Sequence, residues 1–366
     1  MVDQFAILPE ELQHPLTEIG SRSSSIHDHF SSRVKNLDAH HGSEAYVQRS
    51  VDTLSGASSS GASSATFIVG HPRSGTSLLR ALLDSHPHLL VIPFETHLFD
   101  WARSGDPVTA LLDRTWLWPT IHRHRPSISR EEVEDVLKRV FDQTRGPRGR
   151  LLALVEGWRE LTEAPQNTRW VEKTPRHLYE STTLLRWFPT GARILVMRRD
   201  PRDVIASVLK RNPTRTIFQM ALTGRLAHQV VTEHEKDSRF LVISYEQLVQ
   251  DPGGVMQTVC EFLEVPYDPV VVTPTVLGAE YSGNSGFDSA LHGVSEAAVG
   301  RYRDVLSAPQ LERTEALLAP VLSAGGYAPT LKSSGRRHSV ARAAITMIIR
   351  SRLWRSRALR ARFRRA

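Results

Sequence analysis

TFIVGHPRSGTSLLRALLDSH, Thr66 to His86, decides how the rest of the chain is read. TFIVG is a short apolar run closed by glycine, the pattern of a buried strand. LLRALLDSH (Leu78–His86) carries its apolar residues at helical spacing. Between them lies GHPRSGTS, Gly70 to Ser77. A strand, a tight glycine-containing loop and a helix in that order aim backbone N–H groups and a helix N-terminus at one point, which favours an anion. The hydroxyls of Ser74, Thr76 and Ser77 add donors, and Arg73 adds a fixed charge. A nucleoside-triphosphate loop requires G-x-x-x-x-G-K-[ST], with the lysine reaching the outer phosphates. Gly70 and Gly75 keep that spacing, but Thr76 stands where the lysine belongs and the cation sits inside the loop. The segment therefore suits a 5′-phosphate group better than a Mg-nucleoside triphosphate. The other reading is a plain strand-to-helix turn with an N-cap serine.

Working outward, LLVI (Leu89–Ile92), RILVM (Arg193–Met197) and FLVIS at the start of Phe240–Leu248 read as further strands. Residues 106–162 read as mostly helical, most clearly EEVEDVLKRVFD (Glu131–Asp142), which Ser129 can cap. RWVEKTPRH (Arg169–His177) leads into a helix ending near Phe188–Gly191, and Val255–Leu263 is helical again. Strands separated by helices imply crossover connections, hence an α/β, P-loop-like three-layer fold whose central parallel sheet is flanked by helices. RRDPRDVIAS (Arg198–Ser207) repeats the strand-to-helix design: Asp200 is suited to the N-cap and Pro201 to the first turn. Arg199 stands at a strand's C-terminal end, where open α/β sheets bind ligands, and with Ser207 it can hold a phosphate from two sides. An ordinary capped helix with a solvated arginine is the alternative.

The chain has 366 residues, ample for one large α/β domain, and carries a net charge of +7. From Lys332 to Ala366 there are 12 Lys/Arg and no acid; without them 34 basic residues face 39 acidic ones, so residues 1–331 sum to −5. The basic balance belongs to the C-terminal stretch, and specific nucleic-acid binding is not expected of the body. The lone cysteine, Cys260, excludes a disulfide framework and a cysteine-rich zinc module. His27, His29, His40 and His41 lack a thiol or carboxylate cluster to complete a metal site, so they are read as solvated. No run reaches the length of a membrane-spanning helix, and MVDQFAILPEELQHP lacks the pattern of a secretory signal, so a cytoplasmic protein is expected. Three parts are expected: residues 1–65, Ser-rich and linker-like with a short helix near Glu44–Leu54; the 66–330 domain; and an Arg-rich 331–366 tail.

PRSGTSLLRALLDSHP resembles the 5′-phosphosulfate-binding loop of the sulfotransferases that use PAPS (3′-phosphoadenosine 5′-phosphosulfate). It is most similar to the branch containing the tyrosylprotein and many bacterial enzymes, which carry arginine at the place of Arg73. RRDPRDVIAS resembles the same family's 3′-phosphate motif, with Arg199 and Ser207 at the phosphate-contacting positions. FLVISYEQLVQDP (Phe240–Pro252) resembles the strand after that motif, which makes Tyr245 an adenine-side candidate. The resemblance implies a nucleotide-binding transferase with PAPS as co-substrate and no metal. Its donor site would use Arg73, Ser74, Gly75, Thr76, Ser77, Arg199, Ser207 and Tyr245. It implies Glu95, in IPFETHLF, as the general base, with His97 as rival. Lys173 and Arg73 would stabilise the leaving group, although an ion pair with Glu172 or another carboxylate is the alternative role for Lys173. Ser295 is expected near the bridging oxygen, and Arg301 or Arg303 near the 3′-phosphate. Trp101, Trp116 and Trp118 either line an acceptor cleft or pack in the core.

The expected activity is transfer of a sulfuryl group to a hydroxyl of a carbohydrate, lipid-linked or secondary-metabolite acceptor. A P-loop kinase and a non-catalytic membrane or nucleic-acid adaptor are the alternatives. RSRLWRSRALRARFRRA, at the C-terminal end, interleaves arginine with Leu353, Trp354, Leu359 and Phe363. That pattern suits an anionic membrane surface, so peripheral membrane attachment is one expectation for this segment, and a disordered, solvated tail is the alternative.

Overall fold

In a computed structural model, residues 65–102, 105–114, 117–166, 168–281, 283, 293–330 and 338–350 are described. They fall, apart from Arg350, within one compact unit, Ser59–Ile349. The expected Glu44–Leu54 helix, the four early histidines and Trp116 lie outside the described residues.

Chain order begins with β1 (Ala65–Gly70), α1 (Thr76–Asp84) and β2 (Leu89–Val91). A helical stretch comes next: α2 (Leu98–Trp101), α3 (Pro107–Arg114), α4 (Leu117–His124), α5 (Arg130–Asp142) and α6 (Gly146–Leu161). Then come β3 (Arg169–Lys173), a 3-10 turn at Pro175–Glu180, α7 (Ser181–Trp187), β4 (Arg193–Arg198), α8 (Pro201–Arg211) and α9 (Ile217–Glu233). The last strand of the sheet is β5 (Phe240–Ser244), which leads to α10 (Tyr245–Gln250) and α11 (Pro252–Leu263). A small antiparallel pair, β6 (Thr275–Val276) and β7 (Ala279–Glu280), precedes α12 (Tyr302–Val305), α13 (Ala308–Gly325) and α14 (Ser339–Arg350).

The five-stranded sheet has the order β2-β3-β1-β4-β5, and every pairing in it is parallel. A parallel sheet is covered on both faces, which is why β1 is buried along its whole length. The pleat sends successive residues to opposite sides. Phe67, Val69, Ile194 and Val196 join one apolar cluster with Trp170 and Phe188, while Ile68, Leu195 and Met197 join the other with Leu79, Leu82 and Met256. Phe67 meets the edge of Trp170 at 5.3 Å between ring centroids. The order reverses around β1, whose neighbours β3 and β4 both come after it in sequence. The C-terminal ends of β1, β3 and β4 therefore lie side by side, at the switch point where such sheets bind ligands.

The helix at Glu131–Asp142 begins at Arg130, and Ser129 caps it by accepting from the Glu132 amide at 3.1 Å. Ser339–Arg350 is a helix with Ile345 buried, and Arg225 of α9 donates to Thr346 Oγ1 at 2.9 Å. The apolar run Ile345–Ile349 thus belongs to a packed helix, and the Arg-rich run past Arg350 is outside the described residues.

Candidate active site

The loop after β1 is bent by residues that accept unusual backbone conformations. Arg73 has φ 73° and Gly75 φ 101°, both left-handed. A Cβ on Gly75 would sit 2.4 Å from Cδ2 of Tyr245, and one on Gly70 would sit 2.6 Å from the Met197 carbonyl oxygen. Glycine is thus required where the loop passes β4 and the start of α10. Arg73 Nε donates to Ser207 Oγ at 3.1 Å, joining the loop to α8 across 134 residues of sequence.

That helix begins as its sequence demands. Asp200 accepts from the Arg202 amide at 2.9 Å, and Pro201 fills the first position. The guanidinium of Arg199 lies 4.4 Å over the Tyr245 ring, donates to the Arg73 carbonyl at 3.3 Å and reaches the Ala298 carbonyl. Asp203 is 4.0 Å from Arg199 and also accepts from the Gly300 and Tyr302 amides, each at 2.8 Å. Tyr245 is therefore buried between Gly75 and Arg199, a support for the arginine at the place where an adenine contact was expected. The sequence motifs do not mark Arg211, although its spacing of four from Ser207 puts the two on one face of α8. Burial lowers the Arg73 pKa, and the positive field of Arg211 lowers it further, with Arg199 adding to the same effect.

The second half of the site comes from β3 and the segment after β2. Lys173 ends β3, and its Nζ donates to Glu95 Oε1 at 2.6 Å and to Ser77 Oγ at 3.3 Å. Glu95 Oε2 lies 3.2 Å from His97 Nε2, so the acid stands between the two. Of the carboxylates open to an ion pair with Lys173, strand alternation removes Glu172 and the structure shows another, Glu95. Glu172 is its neighbour in β3 and faces the opposite way, bonding Thr96, Thr174 and His177, so the lysine pairs with Glu95. Burial opposes ionisation of Glu95, yet Lys173 and His97 together hold its carboxyl well below the usual carboxylate range. Burial pushes the Lys173 ammonium down while Glu95 pulls it back up. Arg80 reaches the Pro93 carbonyl from α1 and steadies the segment that carries Glu95.

Ser295 caps a short 3-10 turn, accepting from the Ala297 amide at 3.2 Å. Arg303 is exposed, stacked 4.7 Å from the Tyr302 ring, and Arg301 is the N-cap residue of α12. Trp118 packs partly buried against the first apolar cluster.

Two buried polar atoms of the loop region lack a hydrogen-bond partner among the described residues: Ser74 Oγ and Arg199 Nε. Buried donors are rarely left unmade, so a ligand supplying acceptors at both places fits the residues present. An anionic nucleotide with two phosphate-bearing ends has that chemistry, one acceptor being called for at Ser74 and the other at Arg199. No group of His, Cys, Asp and Glu that could hold a metal occurs among the described residues.

Residues 65–269 match the model described as Sulfotransferase family. Protein-tyrosine sulfotransferase 1 of Danio rerio is 27% identical over 280 residues, 72% of this chain and 72% of its own. The Drosophila melanogaster protein-tyrosine sulfotransferase is 26% identical over 280 residues, and this chain spans about half (51%) of its length. Among solved structures, the sulfotransferase domain from the curacin biosynthetic pathway superposes with a TM-score of 0.51 at 21% identity, covering 72% of this chain and 97% of that one. That likeness extends to the fold.

Proposed function

The chain belongs to the sulfotransferase family, enzymes that draw a sulfuryl group from PAPS, and from that premise we propose that it sulfates the phenolic hydroxyl of a tyrosine in a peptide or protein. The observation that carries the reading is the Glu95–Lys173–Ser77 contact, set between the two anion-binding loops at the C-terminal edge of the sheet. The names of the relatives support the tyrosine acceptor, and the carbohydrate, lipid-linked or secondary-metabolite hydroxyl expected from the sequence gives way to it. Family membership also sets aside the kinase and the non-catalytic adaptor.

PAPS, when bound, supplies an electrophilic sulfuryl group on a good phosphate leaving group. The loop amides, Ser74 and Arg73 would hold its 5′ end, and Arg199 and Ser207, with the positive field of Arg211 nearby, would hold its 3′-phosphate. Lys173 and Arg73 supply positive charge where negative charge develops on transfer. Glu95 is the group placed to accept the proton of the acceptor hydroxyl, with Lys173 beside it to orient the carboxylate.

The test is calorimetric titration with 3′,5′-bisphosphoadenosine, with ATP and AMP as controls, and then turnover of labelled PAPS with a tyrosine peptide. Binding that requires the 3′-phosphate is expected. Glu95→Gln is expected to lower turnover by about two to four orders of magnitude while leaving bisphosphoadenosine binding within a few-fold. A preference for ATP, or unchanged turnover in Glu95→Gln, would refute the reading.

A second part of the proposal is a cytoplasmic protein that rests on an anionic membrane surface, and the Arg-rich sequence beyond Arg350 supports the membrane contact. The helix leading into that run exposes Val340 and Met347 to solvent, although each is apolar.

A further inference from the structure

Beneath the Glu95–Lys173 pair lies a second carboxylate that the reaction does not use. Glu172 is fully buried, and both of its oxygens are engaged. Oε1 accepts from Thr96 Oγ1 at 2.7 Å and Thr174 Oγ1 at 2.6 Å, while Oε2 meets His177 Nδ1 at 3.0 Å. Thr174 Oγ1 in turn accepts from the His97 amide at 3.3 Å. His177 is itself fixed, buried under the Phe99 ring at 5.2 Å, and its Nε2 has no hydrogen-bond partner among the described residues. The ring nitrogen facing the carboxylate is therefore the donor. Burial raises the Glu172 carboxyl, but His177 and the two hydroxyls outweigh it and keep it ionised.

A buried carboxylate is expensive unless its partners are all made, and its retention here asks for a reason. Thr96 stands between Glu95 and His97, and Glu172 stands directly before Lys173. The same carboxylate thus grips the two chain segments that carry the reacting acid and the reacting ammonium. His97 has left-handed backbone at φ 46°, so the segment turns sharply just after the residue that Glu172 holds. Free to shift, that turn would carry Glu95 away from Lys173.

We propose that Glu172, acting through Thr96 and Thr174, is a positioning residue that sets the distance between the base Glu95 and Lys173, with His177 holding Glu172 in place. This rests on the sulfotransferase reading for its kinetic consequence and on geometry alone for its structural one. Thr96→Val keeps the shape of the side chain and deletes one donor to Glu172. Its crystal structure is expected to show the Glu95–Lys173 contact lengthened beyond hydrogen-bond range. With labelled PAPS and a tyrosine peptide, kcat is expected to fall about tenfold to a hundredfold, the scale on which small misplacements cost rate. The KM for PAPS and the affinity for 3′,5′-bisphosphoadenosine should stay within about twofold, because the anion-binding loops are untouched. Thr96→Ser restores the hydroxyl and is expected to recover most of the lost kcat. A Thr96→Val structure with the contact intact, or equal losses in Thr96→Val and Thr96→Ser, would overturn the proposal. Wild-type protein that does not bind bisphosphoadenosine would overturn the donor reading instead, and the crystallographic distance would still decide the positioning role.

Discussion

Lys173 and Glu95 each solve the other's burial problem, and that coupling has consequences for pH. The depressed carboxyl of Glu95 contributes stability that is present above the unfolded carboxylate value and is lost as pH falls through the folded one. In Lys173→Met the largest ionising influence disappears, and burial, which opposes charge on Glu95, takes over. The variant is therefore expected to be destabilised most near neutrality, the deficit in urea midpoint shrinking from about pH 6 to about pH 3. The acid limb of any residual turnover should move to higher pH. A deficit constant across that range would show that the pair does not control the acid. Gly75 makes an equally local prediction. Gly75→Ala combines an unfavourable φ with a Cβ that must displace Tyr245, the ring beneath Arg199. Loss of bisphosphoadenosine binding by about tenfold or more is expected by calorimetry, with retained helical circular dichroism.

At the scale of elements, α8 is tied to the C-terminal part of the domain by one arginine. Arg202 binds Asp200 at 2.7 Å and Glu315 of α13 at 2.7 Å, stacks 4.4 Å over the Tyr302 ring, and donates to the Ala328 carbonyl at 2.9 Å. Glu315 is nearly inaccessible and also accepts from the Thr330 amide at 2.7 Å, so Arg202→Met removes the cation that faces a buried carboxylate. A loss of about 3 kcal/mol is expected in urea unfolding, since breaking a buried pair costs more than the pair contributes. A midpoint unchanged from wild type would mean that the other hydrogen bonds of Glu315 suffice to hold its charge. The strand, loop and helix around Gly70–Ser77 and around Arg199–Ser207 are legible in the sequence because their determinants are local: glycine, proline, an aspartate cap and apolar period. The two-residue strands β6 and β7 are not, because so short a pair carries no period. Their turn, with positive φ at Leu277 and Gly278, is held by Asp84 of α1, a partner 191 residues away from Thr275. The partners of Glu172 and Lys173 likewise depend on which face of β3 each side chain takes, and the register that decides this comes from pairing with β1 and β2. Arg211 is within reach of helical spacing alone, but no strand end or cap marks it.

For the whole molecule, charge is divided along the chain: residues 1–331 sum to −5, and the 12 basic residues from Lys332 onward have no acid among them. Helix α14 anchors the start of that stretch by burying Ile345, so the domain can survive loss of the residues beyond the helix. Deleting residues 351–366 removes seven arginines together with Trp354 and Phe363, and leaves α14 in place. Each arginine near an anionic surface is worth about 1 kcal/mol, and the attraction is screened within a Debye length. The full chain is therefore expected to co-sediment with phosphatidylserine-containing vesicles at low salt, to be released as salt rises, and to ignore purely zwitterionic vesicles. The deletion variant should remain in solution with both while keeping its turnover of a soluble tyrosine peptide, because the donor and proton-transfer residues all lie between Arg73 and Arg211. Equal sedimentation of the two proteins would remove the membrane from the proposal. A loss of turnover on deletion would assign the basic segment to the acceptor, since it would then help to hold the peptide whose tyrosine meets Glu95.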